Sequence, residues 1–318
     1  MKIIITEEYN GRTIKDWLYE NGVSRALITR LKKTEDGITL NGSHATVRRI
    51  MATGDVLSLD LSDEVSPTLV PSDIPVKILY EDEDMIALDK PAGMPTHPSH
   101  GHFEDTLANG LAYLFAKRGE PFVFRAINRL DRDTSGIVLV AKSQYSASGL
   151  TALMQSGRIH KTYTAILGGL PSPEKGEIDR PIRRVEGSVM LREVCASGSE
   201  GSKSALTRYE VIAKGELPAD STSEKSLVSL VRAEPVTGRT HQLRVHFASI
   251  GTPIVGDGLY GSAETLPTAA DRFFGRHALH ASRLVIDGER IIVIESELPR
   301  DMAEFSEKYF GCNGFTPR

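Results

Sequence analysis

The chain has 318 residues, of which 40% are apolar and 25% are charged, and its formal net charge is −4. This composition is typical of soluble globular proteins, and the length suits two domains of unequal size. No stretch is long and apolar enough to span a bilayer, so we expect no membrane contact. The slightly acidic balance argues against a general nucleic-acid binder, although it leaves room for a local basic surface. Cys195 and Cys312 form no Cys-x-x-Cys motif, which indicates thiols in a reducing cytoplasm.

Residues 1–62 have the pattern of a small module. Thr13 and Ser24 are placed to begin two short helices, because apolar residues recur at helical spacing after each. Asn41-Gly42 predicts a hairpin turn, and a strand is expected from Val56. This arrangement resembles the RNA-binding module first seen in ribosomal protein S-four. The alternative is a small domain whose basic helix is simply solvated.

The second predicted helix carries the basic residues of this module. Through Leu61 the chain has nine Lys and Arg against eight Asp and Glu, so affinity for RNA would have to come from clustering of charge. Four side chains are expected to face largely outward and to contact RNA: Arg25, Arg30, Lys32 and Lys33.

Residues 63–75 are polar and rich in proline, which predicts a linker, and residues 76–318 form the expected large domain. The large domain opens with a hairpin signal, in which Val76 to Tyr80 and Met85 to Asp89 flank an acidic turn. A loop with three histidines follows, the first being His97. No acid or cysteine completes a zinc set there, so we interpret the loop as the lining of a pocket.

A dense charged loop spans residues 126–136. It places Asp131 between Arg129 and Arg132, closes with Thr-Ser-Gly, and runs into an apolar strand from Ile137 to Ala141. Positive charge on both sides favours the ionised form of the carboxylate. An ionised carboxylate on a loop held by a buried strand is a candidate nucleophile or base. The alternative is an ordinary charged turn.

Two long apolar patterns, from Leu206 to Ile212 and from Leu227 to Ala233, predict strands, and residues 215–226 read as a polar surface loop between them. Tyr163 lies in another predicted strand, where tyrosine is usually part of the core or a cross-strand partner.

A second dense segment spans residues 231–251. Thr240 is predicted to cap a helix that turns Leu243 and Phe247 inward. Arg239 and Arg244 then lie near the start of that helix, where a cation does little for the helix dipole. We therefore interpret both arginines as candidates for binding an anionic group.

Two later patterns offer weaker signals. Residues 256–261 spell G-x-G-x-x-G, but the strand and helix that a dinucleotide site requires do not flank them. His277 and His280 are interpreted as structural rather than as a pair of metal ligands.

Taken together, these segments resemble the RluA-type pseudouridine synthases, and the resemblance covers residues 76 to about 298. The family usually has a histidine directly before Arg-Leu-Asp, where this chain has Asn128. The matching motifs are Arg129-Leu130-Asp131 with Thr134-Ser135-Gly136, Lys161-Thr162-Tyr163, residues 237–246, Asp89-Lys90-Pro91-Ala92-Gly93 and Gly256-Asp257.

The resemblance implies an α+β protein with the pseudouridine synthase fold. This fold has a mixed, mostly antiparallel central sheet with flanking helices and loops, and here we expect a small N-terminal α/β RNA-binding domain as well. The implied reaction is the isomerisation of uridine in RNA to pseudouridine, without a cofactor and without a metal.

The same resemblance assigns roles to individual residues. Asp131 would be the catalytic carboxylate, Arg244 its ion-pair partner, and Tyr163 the residue that stacks on the uracil. Arg129 would occupy the space that the extruded base leaves, and Arg239 and His97 would contact the substrate.

We expect a cytoplasmic monomer that acts on large-subunit ribosomal RNA, because the N-terminal module accompanies that subgroup of the family. Transfer RNA remains open as a substrate. Three other functions also remain open: a catalytically silent RNA-binding protein, a structural ribosome-associated factor, and a nucleoside glycosidase. The glycosidase would normally need a second carboxylic acid.

Overall fold

The computed structural model describes residues 1–61, 69–218, 226–261 and 273–311. Within these ranges the chain forms two separate large sheets, each with its own apolar core. Part of the predicted linker (residues 63–68) and Cys312 lie outside the described residues, so the domain boundaries stay a prediction. No helix in the described ranges has the length and apolar character needed to cross a membrane.

The N-terminal module is a four-stranded antiparallel sheet with two helices. The strand order is β1-β4-β2-β3. Thr13 and Ser24 cap the two helices as predicted, because their side chains accept hydrogen bonds from the third backbone N–H of each helix. The elements are β1 (Lys2–Ile4), α1 (Ile14–Glu20), α2 (Arg25–Leu31), β2 (Ile38–Leu40), β3 (Ser43–His44) and β4 (Val56–Leu59).

The predicted outward position of the basic residues on and after α2 is wrong for one of the four. Arg25, Lys32 and Lys33 are exposed, but Arg30 is half-buried and donates a hydrogen bond to the backbone carbonyl of Asp60. Arg30 lies on the side of α2 that faces the end of β4, so its long side chain covers the module instead of extending into solvent.

The large domain is built on a nine-stranded sheet in the order β5-β6-β7-β14-β8-β13-β12-β9, with β15 beside β14. Among the described strands of this sheet, β7 and β14 run parallel and the other pairs are antiparallel, which confirms the predicted mixed, mostly antiparallel sheet. Its strands are β5 (Lys77–Glu81), β6 (Met85–Lys90), β7 (Ser135–Ala141), β8 (Ile159–Gly168), β9 (Lys175–Asp179), β12 (Leu206–Leu217), β13 (Ser226–Pro235), β14 (Leu279–Asp287) and β15 (Ile291–Glu295).

Helices and one separate hairpin complete the large domain. The hairpin consists of β10 (Ile182–Arg184) and β11 (Arg192–Val194). The pattern analysis does not predict the last helix, whose residues Met302 and Phe305 are fully buried in the main core. The helices are α3 (Leu107–Arg118), α4 (Gln144–Gln155), α5 (Gln242–Ser249) and α6 (Arg300–Phe310).

The prediction of a loop over residues 215–226 is wrong at both ends, because β12 extends to Leu217 and β13 begins at Ser226. Gly215 lies within β12 where the sheet meets α6. A Cβ atom at this position would lie 2.5 Å from the carbonyl oxygen of Tyr309. The glycine therefore allows a helix to approach the strand closely.

The predicted N-cap of α5 is also wrong. The helix begins at Gln242, and its N-cap is His241, which adopts a left-handed backbone conformation with φ of 57°. The side chain of Gln242 accepts a hydrogen bond from the backbone N–H of Arg239 and another from the hydroxyl of Thr237. Because these bonds hold the preceding turn, Thr240 is not needed as a cap. Leu243 and Phe247 are buried, as predicted.

Gly136 fixes the approach of β7 to β14 and supplies a test of the fold. Its φ is +108°, and a Cβ atom there would lie 2.2 Å from the carbonyl oxygen of Ala281. We expect Gly136→Ala to lower the free energy of unfolding by about 3 kcal/mol, because backbone strain and a backbone clash act together. Urea denaturation measures this change.

Gly149→Ala is the matched control. Gly149 is exposed in the interior of α4, and a Cβ atom there would contact nothing within 4 Å. We expect this variant to be more stable by about 0.5–1 kcal/mol, because alanine restricts the unfolded chain and favours the helix. Equal effects of the two substitutions would contradict the proposed role of Gly136.

Candidate active site

A cleft of about 890 Å³ opens beside the ends of β7 and β8. Such a volume suits a nucleotide-sized group. Asp131 is the only carboxylate among the described residues that line it. The walls are formed by residues 95–102, residues 126–134, β8, and residues 235–244.

Asp131 faces the cleft and contacts a buried arginine. Arg244 Nη1 lies 3.1 Å from Asp131 Oδ2, and the side chain of Asp131 is 30% exposed while that of Arg244 is 6% exposed. The other edge of the guanidinium donates two hydrogen bonds of 2.7 Å to the carboxylate of Asp257, which is fully buried. Arg244 therefore bridges two carboxylates, of which only Asp131 is accessible from the cleft.

The charge of Arg244 offsets the cost of burying the Asp257 carboxylate. Burial alone would raise the pKa of Asp257, but the hydrogen bonds and charge of Arg244 outweigh burial and lower that pKa below its ordinary value. Two backbone N–H groups, those of Leu259 and Tyr260, also donate to Asp257 Oδ1. The motif Gly256-Asp257-Gly258-Leu259-Tyr260-Gly261 thus holds the arginine that contacts Asp131.

His241 is a second neighbour of Asp131. Its Nε2 lies 3.7 Å from Asp131 Oδ2, and its Nδ1 lies 2.7 Å from the hydroxyl of Tyr260. The ring of Tyr260 also lies beneath the Arg244 guanidinium, 5.0 Å from its central carbon. Burial lowers the pKa of His241, although the charge of Asp131 opposes this effect.

Tyr163 lies on the part of β8 that borders the cleft, between Ala233 of β13 and Ala281 of β14. Burial and the nearby charge of Asp131 raise the pKa of its hydroxyl, so the phenol stays protonated. The residue is buried, with 9% of its surface exposed. A base that entered the cleft would therefore meet a neutral aromatic ring close to the carboxylate.

The loop that carries Asp131 is anchored to β14. Thr134 Oγ1 lies 2.7 Å from His277 Nε2, and Ser135 Oγ lies 2.9 Å from His280 Nδ1. Burial lowers the pKa of both histidines to about 4, so they are neutral hydrogen-bonding partners. Their predicted structural role is supported, and the described residues contain no group of side chains suited to a metal ion.

Lys90 joins this loop to the neighbouring wall of the cleft. Its side chain is fully buried, and its ammonium donates to three backbone carbonyls, those of Pro91, Met94 and Arg132. Burial lowers the pKa of Lys90 to about 7, against the opposing charges of Asp133 and Asp131.

Asn128 directly precedes the Arg129-Leu130-Asp131 motif, and its amide bonds to the backbone of β7. Its Nδ2 donates to the carbonyl of Ile137 at 3.0 Å, and its Oδ1 accepts from the N–H of Leu139 at 2.8 Å. The side chain thus ties the start of the Asp131 loop to the middle of β7.

The structure brings all six predicted site residues of the large domain to the cleft. Arg129, Arg239 and His97 all line it, together with the proposed catalytic residues. Arg129 is exposed, and Arg239 donates to the carbonyl of Ser204. Burial lowers the pKa of His97, and the charge of Arg129 lowers it further.

Arg132 and Asp133 are not part of the constellation around Asp131. Arg132 makes two hydrogen bonds of 3.0 Å to the carboxylate of Asp133, as expected for an ordinary charged turn. The four basic residues of the N-terminal module are likewise absent from the lining of the cleft.

The sequence patterns assign no role to four residues of the site: Lys161, His241, Asp257 and Tyr260. Lys161 lines the cleft, the described residues offer it no carboxylate partner, and burial lowers its pKa. A signal existed for Asp257, because Gly256-Asp257 is one of the motifs that match the family. Nothing in the local sequence shows that Tyr260 contacts His241.

Comparison with known proteins defines the class. Residues 84–249 match the family model described as RNA pseudouridylate synthase. The chain is 33% identical to the uncharacterized RNA pseudouridine synthase YhcT of Bacillus subtilis, over 98% of this chain and 97% of that protein. It is 34% identical to the ribosomal large subunit pseudouridine synthase D of Zymomonas mobilis, over 95% of each chain.

A solved structure agrees with this assignment. Human RNA pseudouridylate synthase domain containing 1 superposes with a TM-score of 0.58 at 28% identity, over 76% of this chain and 89% of that chain. The chain belongs to the RluA-type RNA pseudouridine synthases. It is an enzyme that isomerises uridine in RNA to pseudouridine.

The buried ion pair provides a stability test of the site. We expect Asp257→Asn to lower the free energy of unfolding at pH 7 by about 3–5 kcal/mol, because it leaves the Arg244 guanidinium buried beside a neutral amide. The lowered pKa of Asp257 means that the ion pair stabilises the folded state above the ordinary carboxyl pKa. This stabilisation is lost as the pH falls through the lowered pKa, so the difference between variant and wild type should shrink below about pH 4.

Glu304→Gln serves as the control, because Glu304 forms an exposed ion pair with Arg300 on α6. Its effect should stay within about 0.5 kcal/mol. Chemical denaturation at a series of pH values measures both variants, and an equally small effect of Asp257→Asn would refute the structural importance of the pair.

Proposed function

We propose that Asp131 is the catalytic carboxylate, and that the enzyme modifies uridine in large-subunit ribosomal RNA. The observation that supports the first part is the position of Asp131. It is the one carboxylate that lines the cleft in the described part of the chain, and its only arginine partner approaches from the protein side. One oxygen edge therefore stays open to a substrate while the charge is stabilised.

The reaction breaks the bond between the ribose and N1 of uracil, turns the base, and forms a carbon–carbon bond to C5, whose proton is then released. Asp131 attacks the sugar or the base in this proposal, and either route needs an ionised carboxylate. The target uridine must first leave its stack, which costs a few kcal/mol. Arg129, exposed on the same loop as Asp131, is proposed to fill the vacated space.

Tyr163 is proposed to stack on the uracil. Its hydroxyl is protonated in the free enzyme, because burial and the charge of Asp131 raise its pKa, so it can act as a hydrogen-bond donor at the start of the reaction. The ring contributes a flat, rigid surface that tolerates rotation of the base.

The glycosidase alternative is disfavoured by the carboxylates near Asp131. Asp257 is fully buried and held by Arg244, and Asp133 is turned toward Arg132. A hydrolytic mechanism with two acids would need a second carboxyl group facing the substrate.

Two basic residues that line the cleft, Lys161 and Arg239, are proposed to bind the phosphates next to the target nucleotide. The exposed residues Arg25, Lys32 and Lys33 of the N-terminal module are proposed as a second contact with RNA. Arg30 would contribute less, since its side chain contacts the module itself.

Ribosomal RNA is favoured over transfer RNA because several relatives carry that substrate in their names. Large subunit pseudouridine synthases D of Zymomonas mobilis and Pseudomonas aeruginosa are each 34% identical to this chain. The Zymomonas protein aligns over 95% of this chain, so the similarity includes the N-terminal module.

Asp131→Asn tests both parts of the proposal. In a strain that lacks the gene, the wild-type enzyme should restore a pseudouridine in large-subunit RNA and the variant should not. In vitro the variant should bind RNA with unchanged affinity and lose at least about 10³-fold in rate, because an amide cannot replace the carboxylate. Release of tritium from C5-labelled uridine measures the rate.

Restored modification by Asp131→Asn would remove this residue from the mechanism. Restoration of a pseudouridine in transfer RNA alone would contradict the ribosomal substrate while leaving the role of Asp131 intact.

The N-terminal module is tested with Lys32→Glu/Lys33→Glu. We expect Kd for RNA to rise about tenfold and the slope of log K against log salt to fall by about one to two, with kcat at saturating RNA unchanged. Lys2→Glu/Lys15→Glu makes the same charge change elsewhere on the module, since Lys2 and Lys15 are also exposed. An equal loss of affinity in both double variants would show that net charge, and not the α2 surface, determines binding.

A further inference from the structure

We propose that His241 is a positioning residue that presents an Nε2–H to Asp131, and that Tyr260 selects the tautomer in which it does so. This inference rests on the proposed catalytic role of Asp131. It assigns a function to two residues that neither the motif resemblance nor the reaction itself assigns.

The hydrogen bonds around Tyr260 favour donation from its hydroxyl to His241. The backbone N–H of Arg192 in β11 donates to the Tyr260 hydroxyl oxygen at 3.1 Å. The hydroxyl proton is then free to point toward His241 Nδ1, which lies 2.7 Å away. An Nδ1 that accepts a hydrogen bond carries no proton, so the neutral imidazole has its proton on Nε2.

The Nε2 atom faces the carboxylate. It lies 3.7 Å from Asp131 Oδ2, a few tenths of an ångström beyond hydrogen-bond distance. In the opposite tautomer the Nε2 lone pair would face a carboxylate oxygen, which is repulsive. Contacts of this kind shorten when the substrate is bound.

The surroundings favour the neutral imidazole. Burial lowers the pKa of His241, and the positive charges of Arg244 and Arg192 act in the same direction. Asp131 and Asp257 oppose them without reversing the result. Because the ring is neutral, its tautomer determines whether it can donate to Asp131.

The backbone conformation of residue 241 does not explain why this residue is histidine. His241 is in the left-handed region with φ of 57°, and the other non-glycine residues with positive φ in the described chain are Asp36 and Asn41. Asn, Asp and His are the non-glycine residues enriched in this conformation, so the conformation by itself does not require histidine. Strain of this kind is retained where the side chain serves the site.

Tyr260 contacts both groups beside Asp131. Its hydroxyl bonds to His241, and its ring face lies beneath Arg244. Tyr260→Phe removes the first contact and keeps the second, so it isolates the hydroxyl.

The test compares the activities of two variants at His241, because a donor role and a purely structural role predict opposite orders of activity. Gln places an N–H near the position of imidazole Nε2, whereas Asn reaches only the position of Nδ1. If His241 serves as the Nε2 donor, His241→Gln should keep kcat within about threefold of wild type. His241→Asn should lose about 10- to 100-fold in kcat with KM within about twofold, since a hydrogen bond to a charged group is lost.

A purely structural role predicts the reverse order, because Asn is the better residue in the left-handed conformation. Activity of His241→Asn equal to or above that of His241→Gln would therefore overturn the inference. Tyr260→Phe should also lower kcat about tenfold. Tyr209→Phe is its matched control, since this substitution removes a hydrogen bond from the hydroxyl to the carbonyl of Pro173 outside the cleft.

Nitrogen NMR of histidine-labelled wild-type enzyme gives a readout that does not depend on the folding of any variant. His241 should show a protonated Nε2 and an unprotonated Nδ1, and the opposite tautomer would overturn the proposal. The outcome with Asp131→Asn keeps the two proposals separate. If that variant is inactive while His241→Gln and His241→Asn both match wild type, the role of Asp131 stands and the role of His241 fails.

Discussion

The site depends on one guanidinium placed between two carboxylates. Arg244 is held by two hydrogen bonds to the fully buried Asp257, and the remaining edge of the same group contacts Asp131. Because Asp257 accepts two hydrogen bonds from the guanidinium inside the protein, Asp131 needs only one contact with Arg244 and stays accessible from the cleft. The buried ion pair thus positions an accessible carboxylate at the cleft.

Most features that depend on residues close together in the chain could be predicted from the sequence. Helix caps at Thr13 and Ser24, the loop with Asp131, and the buried face of α5 are local patterns, and they are present in the structure. The mostly antiparallel sheet came from the family resemblance and is also observed. The predicted cap at Thr240 is wrong because the Gln242 side chain holds that turn.

Long-range contacts were beyond sequence analysis. Gly215 looked like part of a loop because the pattern does not show α6 lying against it. Gly256-Asp257 is one of the motifs that match the family, but no role was assigned to Asp257 or Tyr260, and their importance becomes visible only when the fold places them against Arg244. The predicted outward position of Arg30 is wrong for the same reason, since the carbonyl that accepts its hydrogen bond lies thirty residues away.

The anchoring of the Asp131 loop has a consequence for how the enzyme is made. Thr134 and Ser135 bond to His277 and His280, which follow them by 143 and 145 residues. During synthesis the chain emerges from its N-terminus, so β14 is among the last strands to become available. Contacts of such large sequence separation form late in folding. All residues of the N-terminal module have thus been made well before the Asp131 loop can be fixed, so a nascent chain can complete this module before it completes the cleft.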